Sequence, residues 1–167
     1  LQKKQFSTDS DINRINGIKC DISGNIWMLH NLDLCFIPNT NTINKIDLRL
    51  SPFNLNEPIW INNLLEDEQG NLWIATQNYG LQCYQRNGNQ ILHYGVNEIG
   101  FNHLLQNNVQ SITQSKNKLF INTDYTIYSI DKLNRTAEII YTSNGLTIKT
   151  ICFDEKRNCI WFGGIEF

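Results

Sequence analysis

Three aspartates recur at one place in this chain of 167 residues. Asp21, Asp67 and Asp154 each open a polar turn that runs into a tryptophan, at Trp27, Trp73 and Trp161. A carboxylate at the head of a turn accepts backbone N–H bonds, so turn capping is the first role its position assigns. Glycosidic hydrolysis is the sharper chemistry, but it needs two carboxylates converging across a gap of roughly 5 to 9.5 Å. With one aspartate per recurring unit, the three do not converge. His30, His93 and His103 have no metal-ligand spacing, and His93, beside Tyr94 in an outer strand, is expected at the solvent edge. Five cysteines (Cys20, Cys35, Cys83, Cys152, Cys159) include no CxxC or Cys/His pattern. They read as buried thiols in apolar strands, with a Cys152–Cys159 bridge across a hairpin as the alternative. There is no Ser/His/Asp arrangement or phosphate loop. No catalytic residue, metal or cofactor is expected.

Binding is easier to argue than catalysis. Arg14, Trp60, Asn108 and Thr147 precede four similar apolar segments, and Asn31, Tyr79 and Tyr125 fall in turns between later ones. Aromatic faces with amide and guanidinium donors suit sugar rings, which offer apolar C–H faces and hydroxyls. Trp60 is the one tryptophan outside the recurring position. It either contacts a ligand or packs under a loop that contains Pro52 and Pro58.

The elements that must position these residues come from an internal repeat. Its clearest copy is Glu66-Asp67-Glu68-Gln69-Gly70-Asn71-Leu72-Trp73-Ile74-Ala75-Thr76. An apolar run, a polar turn with glycine and a second apolar run make a β-hairpin. Trp27 to Trp73 is 46 residues, Trp73 to Phe120 is 47 and Phe120 to Trp161 is 41. Ile15, Ile61, Val109 and Ile148 align before the turns, as do Ile18, Leu64, Ile112 and Ile151. A period of roughly 40 to 50 residues with about four short strands marks a β-propeller, a radial array of four-stranded antiparallel blades. An aromatic needed by every copy is most simply packing between blades, so Trp27, Trp73, Phe120 and Trp161 are read as structural anchors.

The fold class is therefore all-β, a partial ring of three full blades with parts of flanking ones. Residues 1–7 read as the outer strand of a preceding blade, and 15–50, 61–95 and 109–141 as three blades. Residues 148–167 read as the first hairpin of the next. Because strands in a blade alternate in direction, the loop before the first strand and the turn between the second and third share a face. That face collects Arg14, Trp60, Tyr79, Asn108 and Tyr125 as candidate ligand contacts. Helix content is expected to be low, because no stretch holds helical spacing between start and stop signals.

Net charge is −2 with Lys and Arg scattered, so there is no electrostatic footprint for nucleic acid or an anionic membrane. No apolar run approaches a membrane span. The start, Leu-Gln-Lys-Lys-Gln, has neither an initiator Met nor an apolar signal core, and the sequence reads as a piece of something longer.

Gly70-Asn71-Leu72-Trp73-Ile74-Ala75-Thr76, followed by Gly80-Leu81 and preceded by Leu64-Leu65-Glu66-Asp67, resembles the two-component regulator propeller repeat. Gly24-Asn25-Ile26-Trp27 and Asn158-Cys159-Ile160-Trp161 are shorter matches, and the third copy departs with Phe120 and Lys118. The resemblance implies a periplasmic sensor region of a bacterial hybrid histidine kinase, which binds a carbohydrate breakdown product and signals to a kinase. It implies no catalysis in this segment and an oligosaccharide or other small ligand as partner. One alternative is a propeller scaffold for protein–protein interaction, which binds partners and no sugar. A carbohydrate-active enzyme, which would show turnover, is another. An isolated arc also leaves the flanks of its end blades uncovered. Either it self-associates, as a homodimer, or the strand at Phe6 joins the 148–162 hairpin to close a four-bladed ring.

Overall fold

A computed structural model describes residues 15–20, 24–30, 33–38, 44–46, 60–85 and 89–166. The strand expected at 1–7, Arg14, Asp21, Asn31, the loop with Pro52 and Pro58, and the turn at 86–88 lie outside the described residues. Among the described residues fourteen strands form four antiparallel sheets. The first holds β1 (Ile15–Cys20), β2 (Ile26–His30), β3 (Asp33–Ile37) and β4 (Asn44–Ile46), side by side in chain order. The second holds β5 (Ile61–Glu66), β6 (Leu72–Thr76), β7 (Leu81–Tyr84) and β8 (Gln90–Tyr94). The third holds β9 (Ser111–Gln114), β10 (Lys118–Asn122), β11 (Thr126–Asp131) and β12 (Ala137–Thr142). A hairpin of β13 (Leu146–Asp154) and β14 (Cys159–Glu166) is the fourth. The opening strands β1, β5, β9 and β13 neighbour one another in that order and form the inside of an arc. Among the described residues the only helical element is a single 3₁₀ turn, Gly100–Asn102.

The sheets stack face to face because each middle sheet is apolar on both sides. In the second sheet Leu64 pairs with Ile74 and Glu66 with Leu72, so Leu64, Leu72, Ile74 and Tyr84 share a face. That face packs on Trp27 of the first sheet. The opposite face, with Trp73, Ala75, Leu81 and Cys83, packs on Ile112, Leu119, Ile121, Tyr128 and Ile130 of the third. In turn Phe120 and Ile127 of the third sheet meet Ile148 and Ile151 of the fourth. Two covered faces are why β6 reads as an unbroken buried run, Leu72-Trp73-Ile74-Ala75-Thr76, with no polar alternation. Each large side chain buried this way contributes roughly 1.5–3 kcal/mol.

The recurring aspartate is a capping group and more. Asp67 Oδ1 accepts the backbone N–H of Gln69 at 3.0 Å and of Asn71 at 2.8 Å. Its Oδ2 accepts Asn71 Nδ2 at 3.0 Å and the Trp73 indole N–H at 2.8 Å. Asp154 likewise accepts Arg157 N and Arg157 Nη1, and the Trp161 indole at 3.4 Å. In the third copy Ser115 stands for the aspartate and Phe120 for the tryptophan, so acceptor and donor are lost together. Ser115 Oγ accepts Lys118 N instead.

Several expectations need correction. Trp161 is not buried like the other anchors but 59% exposed, because among the described residues no fifth sheet lies beyond it. Cys35 and Cys83 are buried, whereas Cys20 and Cys152 are exposed and none of the five is in a disulfide. Cys159 stands opposite Asp154 and Cys152 opposite Trp161, so the two cysteines are diagonal neighbours rather than a facing pair. Thr147 lies inside β13 and is buried, not ahead of the strand.

Candidate ligand-binding rim

In the second and third sheets the turn between the second and third strands is stitched to the start of the next sheet. In the second sheet, Val109 N donates to Thr76 O at 2.9 Å and Gly80 N to Asn107 O at 2.9 Å. Ile148 N donates to Asp124 O at 2.7 Å one sheet further on. Trp60 O accepts Gln77 N at 2.9 Å. Gly80 makes the first of these turns possible. Its φ is +71°, and a Cβ there would lie 1.9 Å from the carbonyl oxygen of Tyr94. One rim of the arc thus gathers the residues ahead of the opening strands and those in the second turns.

The opening strands carry a bulge at this rim. The register slips between Ile15 and Gly17, between Ile61 and Asn63, and between Ile148 and Thr150. The extra residue is Asn62 in the second sheet and Lys149 in the fourth, and Gln110 holds the aligned position ahead of β9. A bulge re-aims the side chain of its extra residue. Asn62 Nδ2 reaches across to Asn108 Oδ1 at 3.1 Å and Val109 O at 2.8 Å. Asn108 Nδ2 continues to Asp124 Oδ1 at 3.0 Å, and the same oxygen accepts Gln110 Nε2 at 2.8 Å. A polar relay, Asn62 to Asn108 to Asp124, therefore crosses from the second sheet to the third. Trp60 stands two residues before its first member and Tyr125 one residue after its last. Trp60 is 39% and Tyr125 42% exposed.

The expected rim residues divide accordingly. Trp60 and Tyr125 flank the relay with exposed aromatic surface. Both polar ends of the Asn108 amide are already bonded within the relay. Tyr79 is half-buried, packed against the core of Trp27, Leu64 and Tyr84. Arg14 lies outside the described residues. Asn62, Gln110 and Asp124 escape a reading by apolar pattern, although Asn16, Asn62 and Gln110 share one aligned position.

His93 is not at the solvent edge, with a side chain only 12% exposed. Its Nδ1 is 2.8 Å from Glu98 Oε1 and its Nε2 is 2.8 Å from Tyr79 O. Both partners are acceptors, and the ring between them ties the Tyr79 turn to the outer strand. Burial pushes the phenols of Tyr84 and Tyr94 and the Cys83 thiol far above their ordinary values. These groups are core. Among the described residues no cluster of three His, Cys, Asp or Glu is placed to hold a metal. No helix among them is long and apolar enough to cross a membrane.

Residues 55–78, which include the capped hairpin and the second-turn start, match the family described as two component regulator propeller. The matched segment is the clearest copy of the repeat and is similar to the two-component regulator propeller repeat. Solved structures similar to the chain are extracellular domains from B. thetaiotaomicron. One, of the putative hybrid two component system BT4673, is 25% identical with a TM-score of 0.64. It matches over 90% of this chain and 19% of its own. Another structure of BT4673, described as a putative one component system, is 26% identical with a TM-score of 0.63, over 90% of this chain and 18% of its own. The third, of the putative hybrid two component system BT3049, is 21% identical with a TM-score of 0.68, over 93% of this chain and 22% of its own. The chain spans about a fifth of the length of these neighbours. No curated protein matches by sequence. The likeness to these domains extends to the all-β architecture of antiparallel four-stranded sheets.

Proposed function

We propose that this chain is a non-catalytic, ligand-recognising segment of a periplasmic sensor propeller in a hybrid two-component histidine kinase. Its ligand class is an oligosaccharide or a similar polyol. The observation that carries the reading is the rim itself, where exposed Trp60 and Tyr125 flank an amide and carboxylate relay joining two sheets. An aromatic face takes the apolar side of a sugar ring, and amide and carboxylate groups take its hydroxyls. The likeness to extracellular domains of two-component systems supports the placement. A ligand bridging Trp60 and Tyr125 would fix the angle between adjacent sheets. It shifts a signalling equilibrium only if it binds the two states unequally.

The test is titration of the chain with neutral and acidic oligosaccharides, followed by calorimetry on those that bind. Trp60→Ala and Tyr125→Ala are expected to weaken binding about tenfold or more each, in line with truncated aromatic contacts. Tyr79→Phe, in the core-facing turn, should change it little. Undiminished affinity in both alanine variants would remove the rim from the account.

A further inference from the structure

The polar relay on the rim has a direction. Asp124 is its one charged member, and an ionised carboxylate accepts hydrogen bonds but cannot donate them. Asn108 and Gln110 must therefore turn their amide N–H groups toward it, and both do, meeting Asp124 Oδ1 at 3.0 and 2.8 Å. With its nitrogen so committed, the Asn108 amide leaves its oxygen toward the second sheet. Asn62 answers with a donor, sending Nδ2 to Asn108 Oδ1 at 3.1 Å and to Val109 O at 2.8 Å. One carboxylate thus sets the orientation of the Asn62, Asn108 and Gln110 amides across two sheets.

The consequence is an excess of acceptors. Both hydrogens of Asn62 Nδ2 are used inside the relay, and so is one each of Asn108 Nδ2 and Gln110 Nε2. Among the described residues no donor reaches Asn62 Oδ1, Gln110 Oε1 or Asp124 Oδ2. Asn62 is exposed, and Gln110 and Asp124 are half-buried, so a ligand on the rim can reach these oxygens. Among the described residues no Lys or Arg pairs with Asp124. Lys149, exposed beside Ile148 on the next opening strand, is the nearest basic residue along that strand and forms no ion pair with it.

We infer that the rim selects its saccharide by charge, with Asp124 as the specificity-determining residue: amine-bearing sugars first, neutral ones next, and uronic acid or sulfated ones last. This rests on the rim being the ligand site, as proposed above. A sugar hydroxyl or ammonium group is a donor that Asp124 Oδ2 accepts while the ring lies on Trp60 or Tyr125. A carboxylate or sulfate brings only acceptors. It meets oxygens where it needs N–H groups, beside a like charge whose repulsion solvent screens only in part.

The test is calorimetry on the intact chain at mildly acidic pH, where a sugar amine is charged. The probes are matched oligomers of glucose, glucosamine and glucuronic acid in α-1,4 and β-1,4 linkage, which differ by one group per ring. Asp124→Asn is the informative variant. It keeps an oxygen for Asn108 and Gln110 and puts an amide nitrogen where Oδ2 stood, so the relay is retained while its outward acceptor becomes a donor. Circular dichroism checks the fold. The wild type is expected to bind the amine-bearing oligomer most tightly and the uronate most weakly. Asp124→Asn should weaken the amine-bearing oligomer about tenfold or more, as loss of a charge-assisted hydrogen bond does, and tighten the uronate about fivefold. Raised salt should narrow the gap between the two in the wild type.

Trp60→Ala and Tyr125→Ala separate this inference from the reading beneath it. If they weaken binding, the rim stands, and charge selection alone is overturned by any of three results. These are a uronate bound as tightly as the amine-bearing oligomer, a ranking unchanged in Asp124→Asn, or a gap between the two that salt leaves untouched. If none of the oligomers binds, or both alanine variants keep full affinity, the rim reading falls and this inference falls with it.

Discussion

Replacing Asp67 by Ser and Trp73 by Phe imitates, in the second copy, the pairing that the third copy carries as Ser115 and Phe120. In the native chain the Asp67 carboxylate holds four donors, and the Trp73 indole is the buried one. Trp73→Phe deletes a hydrogen bond to a charged group and leaves the carboxylate its turn donors, a loss of about 2 kcal/mol. Asp67→Ser alone strands the indole N–H in the core and weakens the cap. That combination costs about 3–4 kcal/mol. In the double variant no donor is stranded, so the total stays at about 3–4 kcal/mol, well short of the sum. The coupling is about 2 kcal/mol, a sizeable part of an ordinary domain stability of 5–15 kcal/mol. Urea unfolding of the four proteins, compared at a constant m value, measures it. Additivity of the single changes within about 0.5 kcal/mol would refute the view that aspartate and tryptophan act as one unit.

Three further outcomes are expected. Gly80→Ala should destabilise the chain by more than about 3 kcal/mol, because the left-handed backbone and the clash with the Tyr94 carbonyl act together; a thermal melt reads it. In dilute native protein at mildly alkaline pH, Cys20 and Cys152 should alkylate readily while buried Cys35 and Cys83 stay protected until denaturant is added, as peptide mass analysis will show. The Arg157 guanidinium beside Asp154 holds its carboxyl below the ordinary value of 3.8. Its stabilisation of the last hairpin is therefore fully present above that value and lost as pH falls through the lower folded one. Asp154→Asn should flatten the acid limb of hairpin stability, followed by the Trp161 indole signal in NMR.

The sheets were legible in the sequence because their local signals agree with one another. Leu72-Trp73-Ile74-Ala75 after a turn with glycine can only be a buried second strand, and its copies at Trp27 and Phe120 repeat the spacing. The rim was only half legible. Topology alone brings Trp60 and Tyr125 to one face, but the relay of Asn62, Gln110 and Asp124 depends on a bulge that no apolar pattern announces. Tyr79 and His93 show the opposite error. Both sit at positions that face solvent in a lone sheet, and both are drawn inward, Tyr79 against the core of Trp27 and His93 by Glu98 and the Tyr79 carbonyl. Trp161 sits in a similar hairpin but, among the described residues, has no sheet beyond it. That is a property of the assembly, not of the hairpin.

The central claim is that a saccharide-like ligand rests on the rim between the second and third sheets. Two-dimensional NMR of the indole N–H groups during titration with an oligosaccharide that binds tests this most directly. The account predicts that the Trp60 signal shifts in a saturable way while that of buried Trp73, hydrogen-bonded to Asp67, stays still. A ligand that moves Trp161 or no indole at all, with Trp60 unchanged at saturation, would contradict it.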